Sequence, residues 1–109
     1  MISERVVKRV DEILDEKVAQ EYKDQPLAQD WARVCKEHEE HGEAIAELIL
    51  ATGQNPRKPR DPEAMDRLCR ELADRAMTGV YAIQHFTKNV SETSRYMIEA
   101  QVKHESRLT

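Results

Sequence analysis

The sequence predicts an all-α fold, a helical bundle built on one long antiparallel helix hairpin. Three observations carry this. Apolar residues recur at i, i+3, i+4 and i+7 along four stretches. No stretch alternates strictly between apolar and polar residues, as a half-buried strand would. The chain has only 3 Gly and 4 Pro in 109 residues, too few for the turns of an all-β fold. The length suits a single domain over 1–109, with 91–109 as a C-terminal helix or tail.

The first helix is expected over 3–22. Val6, Val10, Ile13, Leu14 and Val18 form its stripe, Ser3 is its N-cap, and Glu4/Lys8 and Lys17/Glu21 face water as i,i+4 pairs. Lys23-Asp24-Gln25-Pro26 stops it. The second helix is expected over 27–51, with Leu27, Trp31, Val34, Cys35, Ile45 and Ile49 on one face and Gly53 as the left-handed stop. After the loop 53–60, Asp61-Pro62 opens the third helix as N-cap and first residue. It carries Met65, Leu68, Leu72, Ala76, Val80 and Ile83 on one side to about Lys88. Asn89-Val90-Ser91 breaks it. Ser91 then caps a fourth helix to about His104, apolar at Met97, Ile98 and Val102.

Composition excludes several function classes. Charged residues make up 35%, and the formal charge is 17 − 21 = −4, a poor balance for coating nucleic acid. No apolar run approaches the ~20 residues of a membrane span, and the N-terminus has no apolar signal core. Cys35 and Cys69 form no CxxC and no zinc spacing. They are expected as small core or boundary residues of a cytoplasmic protein.

The chemistry-bearing residues lie in the hairpin. The second helix carries Glu39-Glu40-His41-Gly42-Glu43 and the third carries Glu71-Leu72-Ala73-Asp74. Glu40/Glu43 and Glu71/Asp74 are i,i+3 pairs, so each pair shares a helix face. Glu43 lies 14 residues before Arg57 and Glu71 lies 14 after; Glu40 lies 17 before and Asp74 17 after. Equal distances from an antiparallel turn mean equal heights, ~21–26 Å from the loop. Equal heights allow four carboxylates to converge, and converged they repel unless a cation sits among them. Oxygen-only ligation suits Mg²⁺ or Mn²⁺. The plain alternative is a solvated acidic face, common in a chain with 21 acidic residues. Glu40, Glu43 and Glu47 lie nearly opposite the Trp31–Ile49 stripe. If the acidic stripes face each other, the hairpin holds a polar cleft, and its apolar stripes need cover from the first helix and a second subunit.

Rival motifs fail on spacing. His38-Glu39-Glu40-His41 is one residue short of a zincin signature, and no Glu-x-x-His of the ferritin type occurs. His38 is expected at a buried boundary and His41 in solvent. Trp31 is expected in the core rather than stacked on a base.

These residues resemble a family. Glu39-Glu40-His41-Gly42-Glu43, followed by Glu71-Leu72-Ala73-Asp74, looks like the E-E-x-x-E … E-x-x-D pattern of MazG-like nucleotide pyrophosphohydrolases. Ala44–Ile49, the Thr52-Gly53-Gln54-Asn55-Pro56-Arg57-Lys58 loop and Ala82–Thr87 are similar to short single-domain members, and the resemblance covers about 27–88.

The resemblance implies an all-α fold and hydrolysis of nucleoside triphosphates to a monophosphate and pyrophosphate. It implies Mg²⁺, with Mn²⁺ as the alternative, on Glu40, Glu43, Glu71 and Asp74. Glu39 or Glu40 then serves as catalytic base, and Asn55, Arg57, Lys58 and Arg75 as substrate-binding residues, with Arg60 beside them. The partners expected are a nucleoside triphosphate and further copies of the chain, in a dimer or a dimer of dimers; neither membrane nor nucleic acid is expected. His41 stands where the pattern is usually apolar, and Arg75 where it often has Val. These departures keep open a catalytically silent helical oligomer that binds nucleotide or a protein partner. A purely structural bundle with solvated acidic faces is the third reading.

Overall fold

A computed structural model describes residues 2–108. Four α-helices and a short 3₁₀ turn account for the regular structure, and there is no strand among the described residues. The helices are α1 (Glu4–Glu21), α2 (Pro26–Thr52), α3 (Ala64–Thr87) and α4 (Val90–Glu105), followed by the turn Ser106–Leu108. No helix among the described residues is long and apolar enough to cross a membrane.

Local chemistry explains the ends. Ser3 caps α1, its hydroxyl accepting from the Val6 N–H at 3.3 Å. Pro26 is the first residue of α2 rather than part of the stop before it, because its missing N–H costs nothing in a first turn. Gly53, at φ 70°, ends α2, and the Gln54 N–H reaches back to the Ile49 carbonyl at 3.1 Å. A Cβ at this glycine would meet Arg60 Cβ at 3.3 Å, a second reason for Gly here.

Two expected boundaries move. Asp61 caps a turn, accepting from the Glu63 N–H at 2.9 Å, and α3 begins only at Ala64. Asn89, not Ser91, caps α4, because its side chain accepts from the Glu92 N–H at 3.0 Å.

The chain divides into two compact units. One joins Met1–Arg33 with Val80–Thr109, and the other is Val34–Gly79. In the first, Val7, Val18, Val80, Thr93 and Gln84 are buried together with Asp11 and Arg33. The Thr93 hydroxyl donates to Gln84 Oε1 at 2.7 Å. The buried face of α1 is thus Val7, Asp11 and Val18. Val6 and Ile13, expected inside, are exposed.

In Val34–Gly79, α2 and α3 run antiparallel. Glu47 pairs with Arg67 near the loop and Glu37 with Arg75 further from it, so the pairs advance along the two helices in opposite directions. The buried residues of this unit are small or polar: Ala44, Ala51, Ala64 and Thr78. Val34, Ile45, Leu48, Ile49, Met65 and Leu72 are exposed.

Several burial expectations are therefore reversed. Trp31, in the other unit, is 64% exposed rather than in the core. Cys35 and Cys69 are exposed, not core or boundary residues. His38 is exposed, whereas His41 is half-buried with a buried Nδ1 that meets no partner. One cause runs through the changes within Val34–Gly79. Its facing helix surfaces are the polar ones, so the large apolar side chains point outward.

Candidate metal centre

Three of the four carboxylates that the register count brings together meet in Val34–Gly79. Glu40 and Glu43 project from α2 and Glu71 from α3, and one carboxylate oxygen from each lies within 4.8 Å of the other two. Asp74 is exposed and lies outside this trio, but its charge acts on both Glu40 and Glu71.

The neighbouring rungs are built differently. Arg67 Nε donates to Glu47 Oε2 at 3.0 Å, and Arg67 Nη2 to Asp61 Oδ2 at 2.7 Å. Beyond the trio, Arg75 Nε donates to Glu37 Oε1. Lys36, one turn before Glu40, is bonded to Glu39 at 2.9 Å. Glu40, Glu43, Glu71 and Asp74 form no ion pair with any described residue. The anionic rung thus sits between two rungs that each carry an arginine.

The electrostatics register this crowding of like charge. Glu71 Oε2 is buried and meets no donor. Its closest partner in charge is the Glu43 carboxylate, and two carboxylates hydrogen-bond only if one keeps a proton. The Glu71 carboxyl is accordingly pushed up to about 7, first by that hydrogen bond, then by desolvation and by the charges of Glu43, Glu40 and Asp74. Burial raises Glu40, and Glu43 adds to it, while Lys36 pulls the other way. Glu37 behaves oppositely: its hydrogen bond from Arg75 holds it below the usual carboxylate range.

The remaining expected site residues lie apart from the trio. Glu39 is exposed and tied to Lys36. Asn55 shapes the loop, its Oδ1 accepting from the Arg57 N–H at 2.9 Å. Arg57 and Lys58 are exposed at that loop. Arg60 is occupied, donating to the Ala51 carbonyl at 3.0 Å. Arg75, expected to bind substrate, is engaged with Glu37.

Sequence reasoning missed the two arginine rungs, although the count that found the trio reaches them. Glu47 and Arg67 both lie 10 residues from Arg57, and Glu37 and Arg75 lie 20 and 18 away.

A second ionisable cluster, in the other unit, was also missed. Asp11, Asp15 and His85 bring ligand-type atoms within 4.8 Å of one another. Cations already fill it. Arg33 Nη2 lies 2.8 Å from Asp11 Oδ1, as an ion pair rather than an aligned hydrogen bond, and Arg33 also pairs with Asp15. Lys88 donates to Asp11 at 2.9 Å and to Asp15. The His85 nitrogens lie 2.7 Å from Asp15 and from Asp30. Arg33 Nη1 is also 3.3 Å from His85 Nδ1, a longer contact than the one Asp15 makes with that nitrogen. No sequence spacing pointed to this cluster, because it joins three helices.

Comparison with protein families, with curated proteins and with solved structures gives no match to this chain.

Proposed function

We propose that the chain is a metal-dependent nucleoside triphosphate pyrophosphohydrolase of MazG-like type. It takes an NTP or dNTP and water to a monophosphate and pyrophosphate. One observation carries the reading: Glu40, Glu43 and Glu71 converge with no basic side chain paired to them, between rungs where an arginine pairs with a glutamate. The buried, donorless Glu71 Oε2 adds that the trio is not simply a solvated face. The resemblance of the motif and loop residues supplies the reaction.

The donor set fits a hard divalent cation, since every atom offered is a carboxylate oxygen. Glu40, Glu43 and Glu71 would hold it, and Asp74, whose charge acts on Glu40 and Glu71, is the fourth carboxylate that the resemblance implies. Bound there, Mg²⁺ or Mn²⁺ supplies charge neutralisation for the polyphosphate and activation of water. Glu39 or Glu40 would accept the proton of that water. Arg57 and Lys58 lie in the loop beyond Thr52, which is itself ~14 Å along α2 from Glu43. They serve a substrate held by a neighbouring copy rather than by their own trio. Exposed Val34, Ile45 and Ile49 offer an apolar face for such an oligomer. The chemistry belongs in the cytoplasm, where its substrates are.

The test is the product pair. Nucleoside and deoxynucleoside triphosphates incubated with Mg²⁺ or Mn²⁺ should yield pyrophosphate and monophosphate in equal amounts. Glu71→Gln should lower that rate by orders of magnitude with unchanged helical content. A diphosphate product, or full activity in Glu71→Gln, would falsify the reaction. The exposed position of Asp74 favours one second reading, a silent relative, which predicts metal binding without hydrolysis.

A further inference from the structure

Arg75 lies one helical turn beyond Glu71 on α3, in an i,i+4 relation that puts the two side chains on a common face. One turn is ~5.4 Å, a span an arginine side chain covers. Three carboxylates at that distance attract a guanidinium strongly, yet Arg75 does not turn toward them. Its Nε donates instead to Glu37, three residues before Glu40 on α2. The pair is not locked by packing, since the two side chains are 39% and 41% exposed.

We propose that Glu37 is a positioning residue: it tethers Arg75 away from the trio and so keeps this internal cation from filling the place of the divalent ion. The inference rests on the metal reading of Glu40, Glu43 and Glu71. The physics is a competition. A guanidinium turned onto Glu71 would satisfy the donorless Oε2 and neutralise part of the repulsion that otherwise favours a metal. Glu37 holds the guanidinium through the bond that Arg75 Nε donates to its Oε1. Arg75 holds it ionised, with His41 and His38 adding to the effect, against the smaller opposing push of desolvation.

A double-mutant cycle tests this, with Mn²⁺ affinity of the full chain measured by titration calorimetry. Glu37→Gln should weaken Mn²⁺ binding by about tenfold, because Arg75 is released onto the trio. In an Arg75→Ala background the same change should shift affinity less than about twofold. Glu37→Asp, which keeps the charge, should retain most of the wild-type affinity. A charge effect acting only through space predicts equal fold-changes in both backgrounds, and that result overturns the tether. Should Glu37→Gln lose helix content, Arg75→Ala alone decides: unchanged or tighter binding supports the tether, and weaker binding overturns it. Absence of Mn²⁺ binding by the wild type overturns the metal reading and the tether with it. Binding without coupling overturns the tether alone.

Discussion

In the unit formed by the two ends of the chain, Asp11, Asp15 and Asp30 face Arg33, Lys88 and His85. In Val34–Gly79, Glu40, Glu43 and Glu71 face one another. Both groups gather three acidic residues from different helices, but only the first carries its own cations. A cluster neutralised from within contributes to the fold and resists removal of any partner. A cluster of like charges strains the fold, and a protein tolerates that strain where something else supplies the missing charge. Mutations should therefore have opposite signs in the two places.

The largest effect is expected in the neutralised cluster. The Arg33 and Asp11 side chains are only 2% and 4% exposed. Arg33→Ala leaves Asp11 buried with one of its two cationic partners gone, and removes the donor to the Tyr81 carbonyl at 2.9 Å. Such losses cost about 3–5 kcal/mol. Denaturant unfolding should show most of the stability of this unit gone. A shift below about 1 kcal/mol would mean that Lys88 and His85 carry the cluster without Arg33.

The acidic trio should respond the other way. Without divalent cations, Glu71→Gln removes a repelling charge and should raise the melting temperature, while reducing the rise that millimolar Mg²⁺ or Mn²⁺ produces in the wild type. The pH dependence follows from the same residue. The Glu71 carboxyl titrates near 7 in the folded protein against an ordinary value of 4.5, so the folded state holds this proton more tightly. That contribution is fully present below the ordinary value and is lost as pH rises through about 7. Melting curves in chelator should therefore fall over that range, and Glu71→Gln should flatten the fall. A wild-type protein equally stable on both sides of neutrality, with or without metal, would count against the strained trio.

The sequence revealed these two regions unequally. The helices were legible because caps and breaks are local chemistry: Ser3 and Gly53 act within their own turns. Asn89 was passed over because Ser91, two residues on, is an equally good capping type, and only the bond to the Glu92 N–H decides between them. The trio was legible because one loop fixes the register of two helices, and counting from Arg57 places Glu43 beside Glu71. The neutralised cluster was not, since α1 reaches it through tertiary packing that no count along the hairpin predicts. Val34 and Ile49, exposed on α2, show a further limit. Periodicity tells which residues share a face, but not which face turns inward. In Val34–Gly79 the inward face is the polar one.

The smallest effect distinguishes the members of the neutralised cluster from one another. Lys88 donates to Asp11 and Asp15 but is 51% exposed, so water screens much of its contribution. Its backbone sits at φ 52°, in the left-handed region, so the substitution must respect that conformation. Asn tolerates it better than most residues, which makes Lys88→Asn a test of charge rather than of backbone. The expected loss is about 0.5–1 kcal/mol, well below that of Arg33→Ala. Its pH signature should be sharper than its size. Desolvation pushes the Asp15 carboxyl up, but hydrogen bonds from Lys88 and His85 outweigh this and hold it below its ordinary value of 3.8. That contribution is present above the ordinary value and is lost as pH falls through the folded one. Removing Lys88 takes away the largest of the lowering influences, so acid unfolding should begin at a higher pH in Lys88→Asn. The fall near neutrality, which belongs to Glu71, should stay where it is. A variant that shifts both limbs together would show that the two clusters are energetically coupled, and the contrast between them would then have to be given up.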